Sequence, residues 1–116
     1  MAENDTKLFE NEYIKGLLSS IIVTYNSGDY LFEAIDSILG QNYPMIELII
    51  SDDGTKDFDE FEIRSYVSAK QKKNLKNLVI IHREKNVGTV RNINNALRIT
   101  NGEFIKILGG DDTYPN

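Results

Sequence analysis

Four short apolar runs, each ending in a polar, turn-forming segment, limit what this chain can fold into. They are "LSSIIVTYN" (18–26), "IELIIS" (46–51), "NLVIIHR" (77–83) and "NGEFIKIL" (101–108). Runs of this length, rich in β-branched residues and bounded by Gly, Asn and Asp, read as buried strands. The segments between them have a different period. Leu31, Ala34, Ile35, Ile38 and Leu39 fall at helical spacing, with Gly40 where a C-terminal cap belongs. A second helix is expected from about Asp57 to Lys73, with Phe58, Phe61, Tyr66 and Val67 as its buried stripe. A third follows Gly88 and carries Val90, Ile93, Ala96 and Leu97 on one face. The resulting order is β-α-β-α-β-α-β. Residues 1–17 read as an amino-terminal extension with a short helix, and the domain proper as 18–116.

Strands alternating with helices predict an α/β fold: a mostly parallel, Rossmann-like sheet with helices on both faces, joined by right-handed crossovers. A chain of 116 residues supplies one core of this kind and no second domain. In such sheets ligands bind beyond the carboxyl ends of the strands. That rule gathers "TYNSGD", "SDDGTKD", "HREKNVG" and "GGDD" along one edge, because each follows a strand.

Bulk properties exclude several functions. A formal charge of -5 opposes broad binding to nucleic acid or to an anionic membrane. The absence of cysteine removes disulfides, thiolate metal sites and cysteine nucleophiles, and permits a reducing, cytoplasmic location. No apolar run approaches the ~20 residues of a membrane span. The acidic start "MAENDTKLFENEY" lacks the basic and apolar regions of a signal peptide.

The strand-end motifs each carry two readings. "SDDG" (51–54) is either a turn in which Asp caps the following helix, or a carboxylate presented to a ligand N–H through Asp53. "KNVGTVRN" (85–92) is either a turn with a solvated Arg91, or a helix mouth whose amides and Arg91 hold phosphate oxygens. It is neither a dinucleotide fingerprint nor a P-loop. In "GGDD", Asp111 and Asp112 would repel each other by ~4 kcal/mol at 4 Å in an effective dielectric of 20. Solvent at a turn relieves that repulsion, and so does a hard cation such as Mg2+ or Mn2+. Tyr25 either packs on the sheet edge or stacks on a nucleobase. His82 reads as a strand-edge residue. Together the motifs suggest a nucleoside diphosphate.

The stretches "SSIIVTYNSGDYLFEAIDSILGQNYPMIELIISDDGTKD" and "NVGTVRNINNALRITNGEFIKILGGDD" resemble the amino-terminal half of a family 2 glycosyltransferase of the GT-A fold, over about residues 18–114. The resemblance implies inverting, metal-dependent transfer of a sugar from a nucleoside-diphosphate sugar, often a uridine diphosphate sugar, to an unknown hydroxyl acceptor. It implies nucleotide contacts from Thr24, Tyr25, Asp53, Arg91 and Asp111. Tyr25 would lie on the base, Asp53 would accept from the uracil imide, and Asp112 with Asp111 would hold Mn2+ or Mg2+. Family members often carry another acid at the position of Gly109. The catalytic base and acceptor-binding half are expected beyond Asn116, which would make the isolated chain an inactive donor-binding fragment involved in cell-surface polysaccharide synthesis. Three other readings share some of these features. A receiver-like domain needs an aspartate ending the third strand, where this chain has "HREKN". A nucleotidyltransferase usually has a Gly-rich basic loop where this chain has "TYNSGDY". A non-catalytic nucleotide-binding or assembly module of the same fold is the alternative that stays open.

Overall fold

A computed structural model describes residues 13–109. Seven elements alternate along them: β1 (Ile14–Thr24), α1 (Tyr30–Leu39), β2 (Ile46–Asp52), α2 (Glu60–Lys70), β3 (Leu75–His82), α3 (Thr89–Leu97) and β4 (Gly102–Gly109). The four strands form one wholly parallel sheet in the order β3-β2-β1-β4. The chain therefore steps outward from β1 to β3, then jumps back across β1 to place β4 on its other side. The step direction reverses between β1 and β4, which makes that gap the topological switch point of the sheet.

Side-chain parity decides which helix covers which face. Ile22, Leu48, Ile50 and Leu108 pack in one cluster with Leu31, Ala34, Ile35 and Ile38 of α1 and with Ile63 and Val67 of α2. Ile21 and Ile49, one residue out of phase, point to the other face and pack with Ala96 of α3. Two helices thus cover one face and a single short helix the other. The edge strand β4 leaves Ile105 and Ile107 exposed on the face with one helix and Phe104 exposed on the other, although the apolar run predicted a strand buried on both sides.

Three other expectations shift. Residues 14–17 are strand, not the expected short helix. Pairing slips between Ile14 and Leu18, a bulge that breaks the alternation a sequence reading relies on. The remainder of that predicted helix lies outside the described residues. α2 starts later and ends earlier than expected, capped by Asp59, whose carboxylate accepts from Glu62 N at 2.9 Å. Its buried stripe is Ile63 and Val67, four residues apart, and Phe61 is 80% exposed because two residues from Ile63 is about 200° around a helix. Val90 is also exposed, since it sits in the first turn of α3, level with the strand ends.

One buried acid ties the amino-terminal half of the sheet together. Glu47, second in β2 and 1% exposed, sits inside the apolar run "IELII". Its Oε1 accepts from Ser19 Oγ at 2.8 Å and Asn101 N at 2.9 Å. Its Oε2 accepts from Asn77 Nδ2 at 3.0 Å and Asn101 Nδ2 at 2.7 Å. Ser19 lies on β1, Asn77 on β3, and Asn101 immediately precedes β4, so the carboxylate reaches all four strands. Gly102 completes the junction, donating its N–H to Ser19 Oγ at 2.9 Å. A Cβ at position 102 would lie 2.6 Å from Leu17 O and 2.6 Å from Ser19 Oγ, so only glycine admits this approach of β4 to β1.

Burial alone would raise the Glu47 pKa, but the hydrogen bonds from Asn101, Asn77 and Ser19 outweigh it and hold the carboxyl below the ordinary glutamate value of 4.5. A pKa depressed by folding stabilises the protein above the unfolded-state value, and that contribution disappears as pH falls through the lower folded-state value. Urea unfolding should therefore show the wild type losing stability below about pH 4.5, with a shallower pH slope in Glu47→Gln over the same range. At neutral pH, Glu47→Ala should cost about 3 kcal/mol by leaving buried donors unpaired. A loss below about 0.5 kcal/mol, the usual size for an unremarkable surface change, would show that the junction does not depend on the carboxylate.

Candidate functional site

The carboxyl ends of β1, β2 and β3 are joined by hydrogen bonds between their loops. Asp53 N donates to Thr24 O at 2.9 Å, and Arg83 N donates to Asp52 O at 3.2 Å. Asn26 N donates to Thr55 Oγ1 at 2.8 Å, which ties the loop after β1 to the loop after β2.

The two acids of "SDDG" have separate tasks. Asp52, fully buried, builds the turn: its carboxylate accepts from Thr55 N at 2.8 Å, Gly54 N at 3.2 Å and Thr55 Oγ1 at 2.6 Å. His82 donates from Nδ1 to Asp52 Oδ2 at 2.8 Å and stacks on Phe58, with ring centroids 4.7 Å apart and planes within 6°. His82 is accordingly a partner of this turn as well as a strand-edge residue.

Asp53 turns the other way. Its Oδ1 accepts from Val87 N at 2.7 Å and its Oδ2 from Gly88 N at 3.0 Å. These are amides at the mouth of α3, where the sequence offered a place for a phosphate. In the structure the anion they hold is the chain's own carboxylate. Asn86 Nδ2 adds a bond to Asp53 O at 3.3 Å. The contact between the two loops requires Gly54, since a Cβ there would lie 3.0 Å from Asn86 N and 3.2 Å from Lys85 C at a φ of +93°.

A cleft of about 140 Å3 opens beside this junction, lined by residues that include Thr24, Tyr25, Asp53, Asn86, Gly88 and Asn92. Three of the residues expected to contact a nucleotide, Thr24, Tyr25 and Asp53, therefore share one cleft. Tyr25 is half-exposed there, with its ring free to be covered. Thr24 is buried, and its hydroxyl donates to Ser27 Oγ at 2.8 Å, a bond that shapes the loop after β1. Arg91 lies on the first turn of α3, exposed and outside the cleft lining. Asp111 and Asp112 lie outside the described residues. Gly109, where β4 ends, pairs with Val23 at the switch point. A larger open cleft of about 720 Å3 runs beside β4 between Tyr43 and Phe104, among exposed apolar residues and away from the strand-end carboxylates.

Sequence reasoning passed over Asn86, Asn92 and Arg83. Asn92 is 2% exposed: its Nδ2 donates to Ser51 O at 2.9 Å, and its Oδ1 accepts from Ser51 Oγ at 2.5 Å and Arg83 Nη1 at 2.8 Å. Its only sequence signal is an amide side chain in the first turns of an otherwise amphipathic helix.

Among the described residues no group of three or more His, Cys, Asp or Glu could hold a metal ion. No helix among them is long and apolar enough to cross a membrane.

Comparison with known proteins agrees with the fold. The glycosyltransferase GlyG of Streptococcus pneumoniae serotype 4 is 32% identical over 96 residues, which are 83% of this chain and 30% of that protein. The mannosyltransferase PcManGT from Pyrobaculum calidifontis, solved with GDP-Man and Mn2+, superposes with a TM-score of 0.74 at 26% identity, over 85% of this chain and 28% of that one. Staphylococcus aureus TarS 1–349, solved with UDP-GlcNAc, gives a TM-score of 0.67 at 31% identity, over 83% of this chain and 27% of that one. The chain thus spans about 30% of the length of the curated relatives it matches first. The parallel sheet with its helices is the GT-A arrangement of these neighbours. The model of glycosyl transferase family 2 matches residues 19–116, and the chain belongs to that family of glycosyltransferases.

Proposed function

We propose that this chain supplies the donor-binding part of an inverting, metal-dependent glycosyltransferase whose donor is a nucleoside-diphosphate sugar with uracil as its base. The observation that carries the reading is the cleft at the strand ends, where the Asp53 carboxylate and the Tyr25 ring stand together beside the switch point.

A carboxylate accepts hydrogen bonds and cannot donate them, so it favours a base edge that offers an N–H. Uracil N3 and guanine N1 carry a ring N–H, whereas cytosine N3 and adenine N1 present lone pairs beside their exocyclic amino donors, so a carboxylate set against the ring nitrogen favours the first two. Asp53 is 3% exposed and its carboxylate already accepts from two amides, so the base N–H would have to reach one of its remaining lone-pair positions from the cleft. Of the two, uracil is the base of the donor bound to TarS 1–349, which is 31% identical to this chain, and uridine is accordingly taken over guanosine. Relatives bound to UDP-GlcNAc and to GDP-Man both carry an N–H base. Tyr25 would stack on the base. Arg91, one turn from Gly88, would reach toward the diphosphate from outside the cleft, and Thr24 would contribute through the loop that it shapes.

The donor set for a cation consists of hard oxygens. Asp111 and Asp112 follow Gly109 within two and three residues, a reach of at most ~7–11 Å from the Val23 pairing position. These carboxylates suit Mg2+ or Mn2+, with diphosphate oxygens completing the shell. When bound, such an ion neutralises the charge that grows on the departing diphosphate. Inversion also needs a base to take the proton of the acceptor hydroxyl on the opposite face of the sugar. Asp52 and Asp53 are committed to backbone amides, so we assign that role to a residue outside the described ones. Action in the cytoplasm on a saccharide or other hydroxyl acceptor belongs to the same proposal.

Calorimetric titration of the purified chain with UDP, GDP, CDP and ADP, each with and without Mn2+, tests it. UDP should bind most tightly, with CDP and ADP weaker by tenfold or more, about 1.4 kcal/mol. Indifference to the base would remove Asp53 from recognition. Asp53→Ala should abolish the preference, and Asp112→Ala should abolish the gain from Mn2+. Metal-independent UDP binding by the wild type would sink the cation assignment. Tyr25→Ala should weaken UDP binding by about 1–3 kcal/mol and Tyr25→Phe hardly at all, since stacking needs the ring and not the hydroxyl.

A further inference from the structure

Arg83 reaches the buried polar network behind the cleft, and neither the strand pattern nor the strand-end motifs singled it out. It follows the last residue of β3 and is half-buried. Its Nη1 donates to Asn92 Oδ1 at 2.8 Å and to Ser51 Oγ at 3.2 Å. Asn92 lines the cleft and belongs to α3, where its backbone N–H closes the first helical hydrogen bond onto Gly88 O at 3.0 Å. A guanidinium only donates, so the Asn92 carboxamide must turn its oxygen toward Arg83 and its nitrogen toward Ser51 O. Together with Ser51, whose backbone oxygen and hydroxyl bond the same carboxamide, Arg83 fixes which way the amide faces and ties the start of α3 to the ends of β2 and β3. The residues whose placement depends on that start are Gly88, which Asp53 holds, and Arg91.

We infer that Arg83 is a positioning residue of the nucleotide site: acting through Asn92, it sets the place of the first turn of α3 against Asp53. This inference rests on the nucleotide reading proposed above, but the contact that it invokes is measurable without any ligand. A lysine offers a point charge without the planar fork and should substitute in part. Methionine keeps the length and apolar stem but has no donor.

The test compares wild type, Arg83→Met and Arg83→Lys by amide hydrogen exchange and by UDP titration with Mn2+. In Arg83→Met the Asn92 and Ile93 amides should exchange faster, while β1 and β2 keep their protection, and UDP should bind about tenfold more weakly, the scale of a lost hydrogen bond to a charged group. Arg83→Lys should recover part of both. In a double-mutant cycle with Asn92→Ala, the double variant should bind no more weakly than Asn92→Ala alone. If Asn92→Ala does not fold, the exchange data and the lysine rescue decide. Wild-type exchange in Arg83→Met overturns the inference. So does weakened UDP binding without faster exchange, which would mean direct contact, and so do additive losses in the cycle. A wild-type chain that binds neither UDP nor GDP defeats the nucleotide reading alone, and the exchange comparison still decides the link between Arg83 and Asn92.

Discussion

The second strand is buried along its whole length, and the rest of the structure follows from what that burial demands. A fully buried strand can carry acids only if neighbouring elements satisfy them, because an unpaired buried carboxylate costs several kcal/mol. β2 carries acids at both ends. At its start, Glu47 takes four hydrogen bonds from β1, β3 and the entry to β4. At its end, Asp52 takes its bonds from the turn that follows and from His82, and Asp53, the next residue, takes two from the loop before α3. Each acid recruits a different part of the chain. The strand in the middle of the sheet thereby dictates where the outer strands and the loops must lie.

The two ends of the sheet differ in what they leave available. Every bond around Glu47 is internal, and a glycine lets the backbones close over it. At the other end the loops after β1 and β2 and the start of α3 line a cleft that holds the buried Asp53 and the half-exposed ring of Tyr25. The Glu47 junction at the amino ends serves stability alone, and the proposed recognition lies at the carboxyl ends. Asp53 belongs to both, since it holds the mouth of α3 and faces the cleft. This dual use means that the Val87 and Gly88 amides are already met by an internal anion, which leaves a phosphate only the amides of the first turn itself.

Coverage of the sheet is also unequal. α1 and α2 bury one face, while α3 alone serves the other, and β4 keeps three large apolar residues exposed. A strand with apolar side chains on both faces is ordinarily central in its sheet. Here it is the edge of a unit that corresponds to about 30% of the length of its curated relatives.

Much of this was legible in the residues themselves. Period and turn chemistry suffice to predict seven alternating elements and a parallel sheet, and the carboxyl-edge rule assigns Thr24, Tyr25 and Asp53 to one place. These are local properties, or follow from the few topologies that such a pattern permits. What the sequence could not decide involves partners distant along the chain. Nothing local in "IELII" says how its Glu47 can be buried; that depends on Asn101, 54 positions away. Phe61 and Val90 fit an apolar stripe by spacing, but exposure depends on whether another element lies beneath them. Of the two neighbouring aspartates, only the tertiary structure separates the one that builds the turn from the one that faces the cleft. Arg83 and Asn92 carry no motif at all. Their roles exist because the fold brings the end of one strand against the first turn of the next helix, and no local preference encodes that meeting.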